Sequence, residues 1–545
     1  MSNLNLHAPA CRRLGTILGG SLVEGLVMRL ENEVPLEEVK AGKFACVKGQ
    51  HYSFFSLITD LSLEATNHEI MLFPPTESEG LLGDMLRNRD VFAKISLKPM
   101  LMLDANGNRM PVKTIPQHFS SVHEAQPSDI AMIFGDEKQD PKYFNIGAPL
   151  DMEDVPVCLD FSRFTERSNG IFGKSGTGKT FITRVILAGT VQRKAAVNLI
   201  FDMHSEYGLQ ARCENKGTPF VKGLKTLFPS EVAIFSLDPE STRKRGGSPD
   251  VEVTIGLNDI RVEDVMPLAD ELNLHSTALE AAYLIINKYG SRWLSELLSQ
   301  EGTIKEFAEN IGAHTESVGA LYRKLKRLER FPFIKPKSSG KSVIDQMIEY
   351  LDRGLHVILE FGNHTSMLCY LLIASMVTRR IHARYVEKTE AFLASQLPED
   401  EPKKLMITIE EAHKFLNPQA AKQTIFGKIA REMRKYYVSL LIVDQRPSGI
   451  DDEVLSQIGT KVVAQLNDDR DIQAVLTGVS NASGLRSVLA TLDSKKQALF
   501  MGHALAMPIV VRTREYDEEF YNAVAPKSKG KTSKQSVHSA IQELF

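Results

Sequence analysis

Cysteine is scarce in this chain, with five residues among 545, and no two of them form a Cys-x-x-Cys pair. The five residues are Cys11, Cys46, Cys158, Cys213 and Cys369. This pattern argues against a zinc site, whose ligands stand at short intervals, and against a disulfide scaffold, which is dense in cysteine. We therefore expect free thiols and a reducing, cytoplasmic location.

Long apolar segments are also missing. The most apolar run, residues 368–377, has half the length of about 20 residues that a membrane-spanning helix needs, so we predict a buried helix there. The first residues lack the charged-then-apolar pattern of a signal peptide. The net charge is only −3, so any contact with nucleic acid must come from a local basic surface.

The chain divides into segments of different composition. Residues 1–110 alternate short apolar runs with turn residues, which predicts a small N-terminal β-barrel or sandwich. Residues 111–154 are predicted to form a connector. An α/β core is predicted in two parts, 155–261 and 351–515, around a helical insertion at 262–350. Residues 516–545 are predicted to form a C-terminal tail, rich in lysine and serine in part.

The predicted core is marked by strands that are apolar throughout. Such strands are typical of a parallel sheet that is covered on both faces. The runs are 168–172, 197–202, 232–237, 357–361, 405–410 and 440–444. A helix is predicted at 180–194, and leucine, glutamate, lysine and alanine at helical spacing predict the helices of the insertion. The acidic, proline-containing stretch 390–404 is predicted to be an exposed loop.

An eight-residue segment matches the G-x-x-x-x-G-K-[S/T] pattern of a phosphate-binding P-loop. The strand before it and the helix after it disfavour a chance glycine-rich turn. Lys179 is expected to reach the β- and γ-phosphates of ATP, and Thr180 to bind Mg²⁺. Backbone N–H groups and the helix N-terminus are expected to bind the β-phosphate. The segment consists of Gly173, Lys174, Ser175, Gly176, Thr177, Gly178, Lys179 and Thr180.

Two adjacent carboxylates end the strand predicted at 405–410. Glu410 is placed to hold the Mg²⁺ shell, and Glu411 to polarise the attacking water. Neighbouring strand residues point to opposite faces, so both side chains reach the nucleotide only if the chain curls after the strand. The alternative is a solvated turn, which the complete P-loop upstream disfavours. His413 is left with two roles, a γ-phosphate sensor or, slightly favoured, a local hydrogen-bonding residue.

Three further segments resemble the HerA family of ring-forming DNA translocases, in the FtsK/HerA superfamily. Residues 200–207, IFDMHSEY, resemble its Asp-x-His-x-Glu-Tyr element, and residues 410–413, EEAH, resemble its Walker B motif. Residues 429–436 and 440–448 resemble its arginine-rich helix and its strand ending in Gln-Arg-Pro-Ser. The resemblance implies a RecA-like P-loop ATPase core of the α/β class, with a helical insertion and a preceding β-barrel.

The resemblance also implies roles for residues outside the P-loop. Gln445 is expected to be a sensor between Walker B and the γ-phosphate. Arg431 or Arg434 is expected to project across a subunit boundary as an arginine finger, and Arg167 matches an arginine that the family has before its P-loop. The alternative for the first two arginines is a solvated helix face. A closed homo-hexamer with active sites between subunits would follow.

The chain departs from the family pattern at three positions. Glu410 stands where Walker B usually has aspartate, and its extra methylene changes the reach of the carboxylate toward Mg²⁺. Asp444 takes the place of the serine in the usual Ser-Gln-Arg-Pro sequence. Met433 stands where a glycine is common.

A basic cluster lies in the predicted insertion, with the sequence Arg-Lys-Leu-Lys-Arg at 323–327 and further lysines at 335, 337 and 341. It is either a DNA-facing surface or a solvated helix. The favoured function is an ATP-driven motor that moves double-stranded DNA through a hexameric ring, without sequence preference. Its expected partner is a nuclease or another effector, in DNA end processing or phage defence. The alternative is an ATPase-gated platform that activates a separate effector protein.

Overall fold

The structure is a computed structural model that describes most of the chain. The described residues are 12–67, 72, 85–86, 90–150, 152–212, 220–337, 341–423, 425–479, 482–493 and 496–525. Most of the predicted C-terminal tail, together with Cys11 and Cys213, therefore lies outside the described residues. The three described cysteines, Cys46, Cys158 and Cys369, are buried and form no disulfide with one another.

The N-terminal part is a closed barrel of six strands, with a short seventh strand added at one side. The ring closes because β2 pairs with both β1 and β5. Alternating apolar residues of these strands fill its interior, among them Ile17, Met28, Leu97 and Val122. The strands are β1 Arg13–Ser21, β2 Gly25–Leu30, β3 Phe44–Lys48, β4 Ser53–Ala65, β5 Val91–Leu103, β6 Arg109–Met110 and β7 Ser121–Glu124.

Strand β7 belongs to the segment that the sequence predicts as a connector. It pairs with β1 on one side and β3 on the other, so the barrel needs it for closure. The same segment also contributes β8, Tyr143–Pro149, to the second sheet. The predicted connector therefore contributes one strand to each sheet, β7 to the barrel and β8 to the second sheet. The domain limits drawn from composition stay predictions.

The second sheet has 12 strands and forms the centre of the ATPase part of the chain. Its order is β15-β14-β18-β11-β19-β20-β10-β21-β22-β23-β8-β9. Neighbours from β15 to β21 are parallel, and neighbours from β21 to β9 are antiparallel. The strands after β8 are β9 Val157–Asp160, β10 Asn169–Phe172, β11 Val197–Asp202, β14 Val232–Ser236, β15 Val251–Glu252, β18 His356–Glu360, β19 Leu405–Glu410, β20 Val438–Asp444, β21 Thr460–Val463, β22 Gln497–Gly502 and β23 Ile509–Thr513.

This order brings the sequence motifs to one edge of the sheet. Strand β10, which leads into the P-loop, lies between β20 and β21, and β19 lies on the far side of β20. Because these strands are parallel, their carboxyl ends meet at the same edge. The predicted strands at 197–202 and 405–410 have the observed bounds of β11 and β19, and the prediction of a P-loop core behind a β-barrel is confirmed.

Helices cover both faces of the sheet and build the insertion. Two short two-stranded sheets complete the strands, the antiparallel pair β12 Gln210–Arg212 with β13 Phe220–Lys222 and the parallel pair β16 Ile255–Gly256 with β17 Ile334–Lys335. The helices are Pro127–Phe134, Phe161–Phe164, Lys179–Arg193, Leu224–Leu227, Pro239–Lys244, Val262–Val265, Ala269–Leu272, Ser276–Tyr289, Trp293–Leu298, Ile304–Ile311, Thr315–Leu325, Val343–Arg353, Met367–Ser395, Ala420–Gln423, Ile425–Glu432, Asp452–Gln457, Asp469–Leu476, Ala482–Ala490 and Glu518–Val524.

The helical insertion is anchored to the core at its base. The parallel pair β16–β17 joins the chain that enters it to the chain that leaves it. Arg379, on the long helix Met367–Ser395, holds the buried Asp264 of the insertion with two bonds of 2.7 and 2.8 Å. The indole of Trp293 is buried and donates to the carbonyl of Ile260 at 2.9 Å. These contacts fix the insertion against the sheet-covering helices.

The long helix Met367–Ser395 contains the most apolar run of the sequence. Its first part is buried, as predicted, and no helix among the described residues is long and apolar enough to cross a membrane. The loop predicted at 390–404 is wrong in its first part, because the helix continues to Ser395. Tyr385 and Thr389, just before the predicted loop, are buried, whereas in the helical residues 390–395 only Phe392 is partly buried.

Candidate active site at the phosphate-binding loop

The P-loop turns where its glycines adopt left-handed backbone angles. Gly176 has φ of +79° and Gly178 has φ of +91°, and a Cβ at either position would meet no atom within 4 Å. The need for glycine is therefore conformational rather than steric. Gly178 caps the helix Lys179–Arg193 without any side-chain bond, so the first N–H groups of this helix remain available to an anion.

Lys179 lies inside the loop that it follows. Its Nζ donates to the carbonyl oxygen of Lys174 at 2.9 Å. Burial lowers the pKa of Lys179, while the negative charges of Glu411, Asp444 and Glu410 oppose that shift. The ammonium group is thus a desolvated cation facing carboxylates, an environment in which a phosphate group adds favourable charge. At the opposite side of the loop, the Lys174 ammonium donates to Asn467 at 3.3 Å.

Glu410 ends β19 as a nearly buried carboxylate. Its Oε1 accepts a hydrogen bond of 2.8 Å from the hydroxyl of Tyr207, whereas its Oε2 is buried without a partner. Burial, and next the charge of Asp202, raise the pKa of Glu410 to about 8. An unpartnered buried oxygen in a group that resists ionisation fits a bound cation, which would favour the charged form.

Glu411 turns away from the strand that precedes it. Its φ of +50° and ψ of +42° are left-handed, so the chain curls directly after β19. The carboxylate is partly exposed, and its Oε1 accepts a hydrogen bond of 3.1 Å from Nε2 of Gln445. The structure therefore brings together Glu411 and Gln445, from the ends of two neighbouring strands.

His413 is held by Asp444. The backbone N–H of His413 donates to Oδ2 of Asp444 at 2.7 Å, and Nδ1 lies 3.0 Å from the same oxygen. This hydrogen bond raises the pKa of His413, although burial acts against it. His413 thus forms local hydrogen bonds, as the slightly favoured interpretation of the sequence expects.

The loop after β11 has a role that the sequence motif did not disclose. Asp202 is fully buried and accepts backbone N–H groups from Glu206, Tyr207 and Gly208 at 2.8, 2.9 and 3.3 Å. Burial raises the pKa of Asp202 to about 7, with the charge of Glu360 as the next cause. Asp202 thereby shapes the loop that places Tyr207 against Glu410. The family motif contains both residues, but only the strand order shows what they contact.

Two of the three candidate finger residues, Arg167 and Arg434, lie away from this site. Arg167 precedes β10 and Arg434 precedes β20, so both stand at the sheet edge opposite the P-loop. The seven residues of β20 separate Arg434 from Gln445 by about 20 Å, at a rise of about 3.3 Å per residue. The charge of Arg434 instead helps to lower the pKa of Glu166, after the bond from His503.

The side chains of the three arginines have different surroundings. Arg434 is exposed, and Arg167 has a buried Nε without a partner. Arg431 is partly buried, and its Nη2 donates to the carbonyl of Ala421 at 3.0 Å. Arg431 is therefore tied to its own subunit, whereas Arg434 is available at the surface.

The remaining P-loop residues contribute through the backbone and through local bonds. The hydroxyl of Thr177 donates to the carbonyl of Lys174 at 2.8 Å and closes the turn. Thr180 stands in the first turn of the helix Lys179–Arg193, which is where the P-loop pattern places its magnesium-binding hydroxyl. Among the described residues no hydrogen bond joins Thr180 to Glu410, so their joint role in holding Mg²⁺ stays a prediction.

Comparison with known proteins agrees with this geometry. Residues 144–381, which include the P-loop and Asp202 but end before Glu410, match the family model described as the central domain of the helicase HerA. The chain is therefore similar to HerA in this central part, and it is a P-loop ATPase. The similarity supports ATP hydrolysis as its activity.

Among curated proteins, the HerA-like chain is similar to the DNA double-strand break repair helicase HerA of Pyrococcus furiosus. The two are 24% identical over 437 residues, which cover 75% of each chain. The helicase of the same name from Saccharolobus solfataricus is also 24% identical over 437 residues, with 77% of each chain covered. Among solved structures, VirB4 of Thermoanaerobacter pseudethanolicus aligns with a TM-score of 0.46 and 14% identity, over 70% of this chain and 98% of that chain.

Proposed function

We propose that this HerA-like ATPase is a motor that uses MgATP to move double-stranded DNA through a closed hexameric ring. The observation that carries the proposal is the joined P-loop, Glu410, Glu411 and Gln445 site, in a chain whose relatives are named DNA double-strand break repair helicases. ATP hydrolysis at such a site supplies the free energy for movement. The names of the relatives indicate that the substrate is DNA.

Each site residue then has a defined task. Lys179 neutralises charge on the β- and γ-phosphates, and Thr180 and Glu410 hold Mg²⁺, for which the unpartnered Oε2 of Glu410 is suited. Mg²⁺ supplies the charge that stabilises the transferring phosphoryl group. Glu411 polarises the attacking water. Gln445, which contacts Glu411, reports the presence of the γ-phosphate.

The position of the arginines supports the proposed ring. Arg167 and Arg434 lie at the edge of the sheet opposite to their own P-loop, so they have no access to their own nucleotide. In a head-to-tail ring that edge faces the P-loop of a neighbour, and a cation there stabilises the transition state in trans. Arg431, bonded to Ala421, supports the same helix from within its own subunit. Sedimentation that shows only a monomer, with and without ATP, would contradict the ring.

The basic cluster of the insertion is the proposed contact for the DNA backbone. Between residues 323 and 337 the chain has seven basic residues and only Glu329 as an acid. Within this described segment only Lys326 forms an ion pair, with Glu329 at 3.0 Å. Arg323, Arg330, Lys335 and Lys337 are exposed, and exposed cations without acidic partners bind phosphates independently of sequence.

ATP hydrolysis with and without duplex DNA tests the proposal. We expect duplexes of unrelated sequence to stimulate hydrolysis equally, and the stimulation to decline as salt rises, because counterion release drives phosphate contacts. Replacing Arg327, Arg330 and Lys335 by alanine should weaken the stimulation and reduce its salt dependence. Matched alanine substitutions of the exposed Lys113 and Lys244, outside the cluster, should leave both unchanged.

The alternative is an ATPase-gated platform that holds and activates a separate effector. It predicts the same hydrolysis rate with and without DNA, and a rate that responds to the effector instead.

The proposed partner of the motor is a nuclease or another effector, in DNA end processing or phage defence in the cytoplasm. Purifying the native complex and identifying the chain that accompanies the ring tests this partner. A ring that purifies alone and displaces bound proteins from DNA would show that it needs no such partner for movement.

A further inference from the structure

Asp444 is a buried carboxylate that joins the loops after β19 and β20. Its side chain is fully buried, and it accepts the backbone N–H of His413 and the backbone N–H of Arg446, each at 2.7 Å. It also holds Nδ1 of His413 at 3.0 Å. The carboxylate therefore satisfies three donors from two loops, with both oxygens in use.

The imidazole of His413 connects this carboxylate to Glu411. Nδ1 of His413 lies 3.6 Å from Oε2 of Glu411, while Oε1 of Glu411 accepts the hydrogen bond from Gln445. Gln445 directly follows Asp444. One oxygen of Glu411 thus faces the imidazole that Asp444 holds, and the other accepts a hydrogen bond from Gln445, the residue that follows Asp444 in sequence.

Glu411 needs such support because its backbone is left-handed. A φ of +50° is unfavourable for a residue with a Cβ, by about 1–2 kcal/mol, so surrounding contacts must hold it. A serine in place of Asp444, as the family usually has, offers a single oxygen and no charge. It cannot accept three donors, and it cannot pair electrostatically with an imidazolium.

We propose that Asp444 is a positioning residue for ATP hydrolysis, which acts through His413 to hold the Glu411 carboxylate in place. The proposal rests on the proposed role of Glu411 as the group that polarises water. The hydrogen bond that Asp444 accepts from His413 raises the pKa of His413, so the imidazole more readily carries a positive charge beside Glu411. The other charged groups acting on His413 are Glu411 and Lys414, and Asp444 also acts on Lys179.

A double-mutant cycle on basal ATP hydrolysis, without DNA, tests the proposal. The variants are Asp444→Ser, His413→Gln and their combination. We expect each single substitution to lower kcat by about tenfold or more, with the affinity for a non-hydrolysable ATP analogue unchanged within about twofold. The combination should be no slower than the slower single variant, because both substitutions break one connection.

A control separates this effect from general loosening of the loop. Asp471 accepts the backbone N–H of Ser448 at 3.0 Å and so holds the same loop, without a contact to His413 or Glu411. Asp471→Ser should leave kcat within about twofold of wild type. Asp444→Asn preserves the side-chain volume and replaces the serine variant if that variant does not fold. The NH₂ group of the asparagine would face one of the three N–H donors that Asp444 now accepts, so a loss of kcat is expected for this variant too.

The outcomes are distinct. Wild-type kcat in the folded Asp444 variants, independent effects that multiply in the cycle, or a loss of analogue affinity equal to the loss of kcat would each overturn the proposal. Glu411→Gln supplies the reference for the underlying function. If that variant keeps wild-type hydrolysis, the assumed role of Glu411 fails, whereas a slow Glu411→Gln with normal Asp444 variants removes the positioning role alone.

Discussion

The hydroxyl of Tyr207 donates a hydrogen bond of 2.8 Å to Oε1 of Glu410, across 203 residues of sequence. The two residues follow neighbouring parallel strands, β11 and β19. The bond occupies one oxygen of a buried carboxylate and leaves the other without a partner. Tyr207 therefore orients the side chain proposed to hold Mg²⁺, and the first prediction concerns this bond.

Tyr207→Phe should raise the Mg²⁺ concentration needed for half-maximal hydrolysis. Without the hydroxyl, Glu410 loses its only side-chain donor, and a buried acceptor without a partner costs about 1–3 kcal/mol of stability. Tyr370→Phe is the matched control, because the Tyr370 hydroxyl contacts only the backbone N–H and carbonyl of Glu410. An unchanged Mg²⁺ requirement in Tyr207→Phe, or an equal change in both variants, would contradict the prediction.

Lys179→Ala should abolish ATP turnover while the fold is retained. The substitution removes a partly buried cation that is expected to contact the β- and γ-phosphates, and alanine has no group to replace it. Steady-state hydrolysis measures the loss, and thermal unfolding in the absence of nucleotide establishes that the variant is folded. Turnover at the wild-type rate by the folded variant would refute the assignment.

Glu411→Gln should bind ATP and hydrolyse it at least about a hundredfold more slowly, because the amide no longer polarises water. The hydrogen bond from Gln445 to this side chain can persist, since the amide retains one acceptor oxygen. Single-turnover hydrolysis and analogue binding, measured together, separate chemistry from affinity. If Glu410→Gln gives the bound but uncleaved state and Glu411→Gln does not, the two roles are reversed.

Mixing two inactive variants should restore hydrolysis if arginines act between subunits. One variant carries Arg431→Ala and Arg434→Ala, and the other carries Lys179→Ala. In mixed rings some interfaces combine an intact P-loop with intact arginines, and a finger in trans is worth about 10³–10⁵ in rate. No recovery, with subunit exchange demonstrated, would argue against trans action. A double arginine variant that retains basal hydrolysis and loses only its DNA response would assign these arginines to DNA binding. Arg167→Ala, mixed in the same way, tests the third arginine.

The contribution of His413 to stability should depend on pH. Its folded pKa is raised, mainly by Asp444, above the ordinary value of about 6.5. Its charge therefore stabilises the fold fully below about pH 6.5, and this contribution is lost as pH rises through the raised pKa. The difference in free energy of unfolding between wild type and His413→Gln should be largest at low pH and shrink above neutrality. A difference that grows with pH would have the wrong sign.

Local sequence was sufficient to locate the nucleotide loop and most of the strands around it. The glycines, Lys179 and Thr180 occupy fixed offsets along one turn, and the bounds of β11 and β19 follow from unbroken apolar runs. Such features depend on neighbours a few residues apart, where spacing alone sets the geometry. The helix continues to Ser395, past the predicted start of the loop, although residues 390–395 are mostly exposed and only Phe392 is partly buried, near Tyr437.

Only the tertiary structure decided which side chains meet. Sequence spacing cannot show that Tyr207 reaches Glu410, or that Asp444 holds His413, because both contacts depend on β11, β19 and β20 lying side by side. Because β20 runs parallel to β10, Arg434 lies at the edge opposite its own P-loop. Strand order arises from the packing of helices and sheet as a whole, so no short segment encodes it, and the partners of a strand-end residue are determined only when the complete sheet has formed.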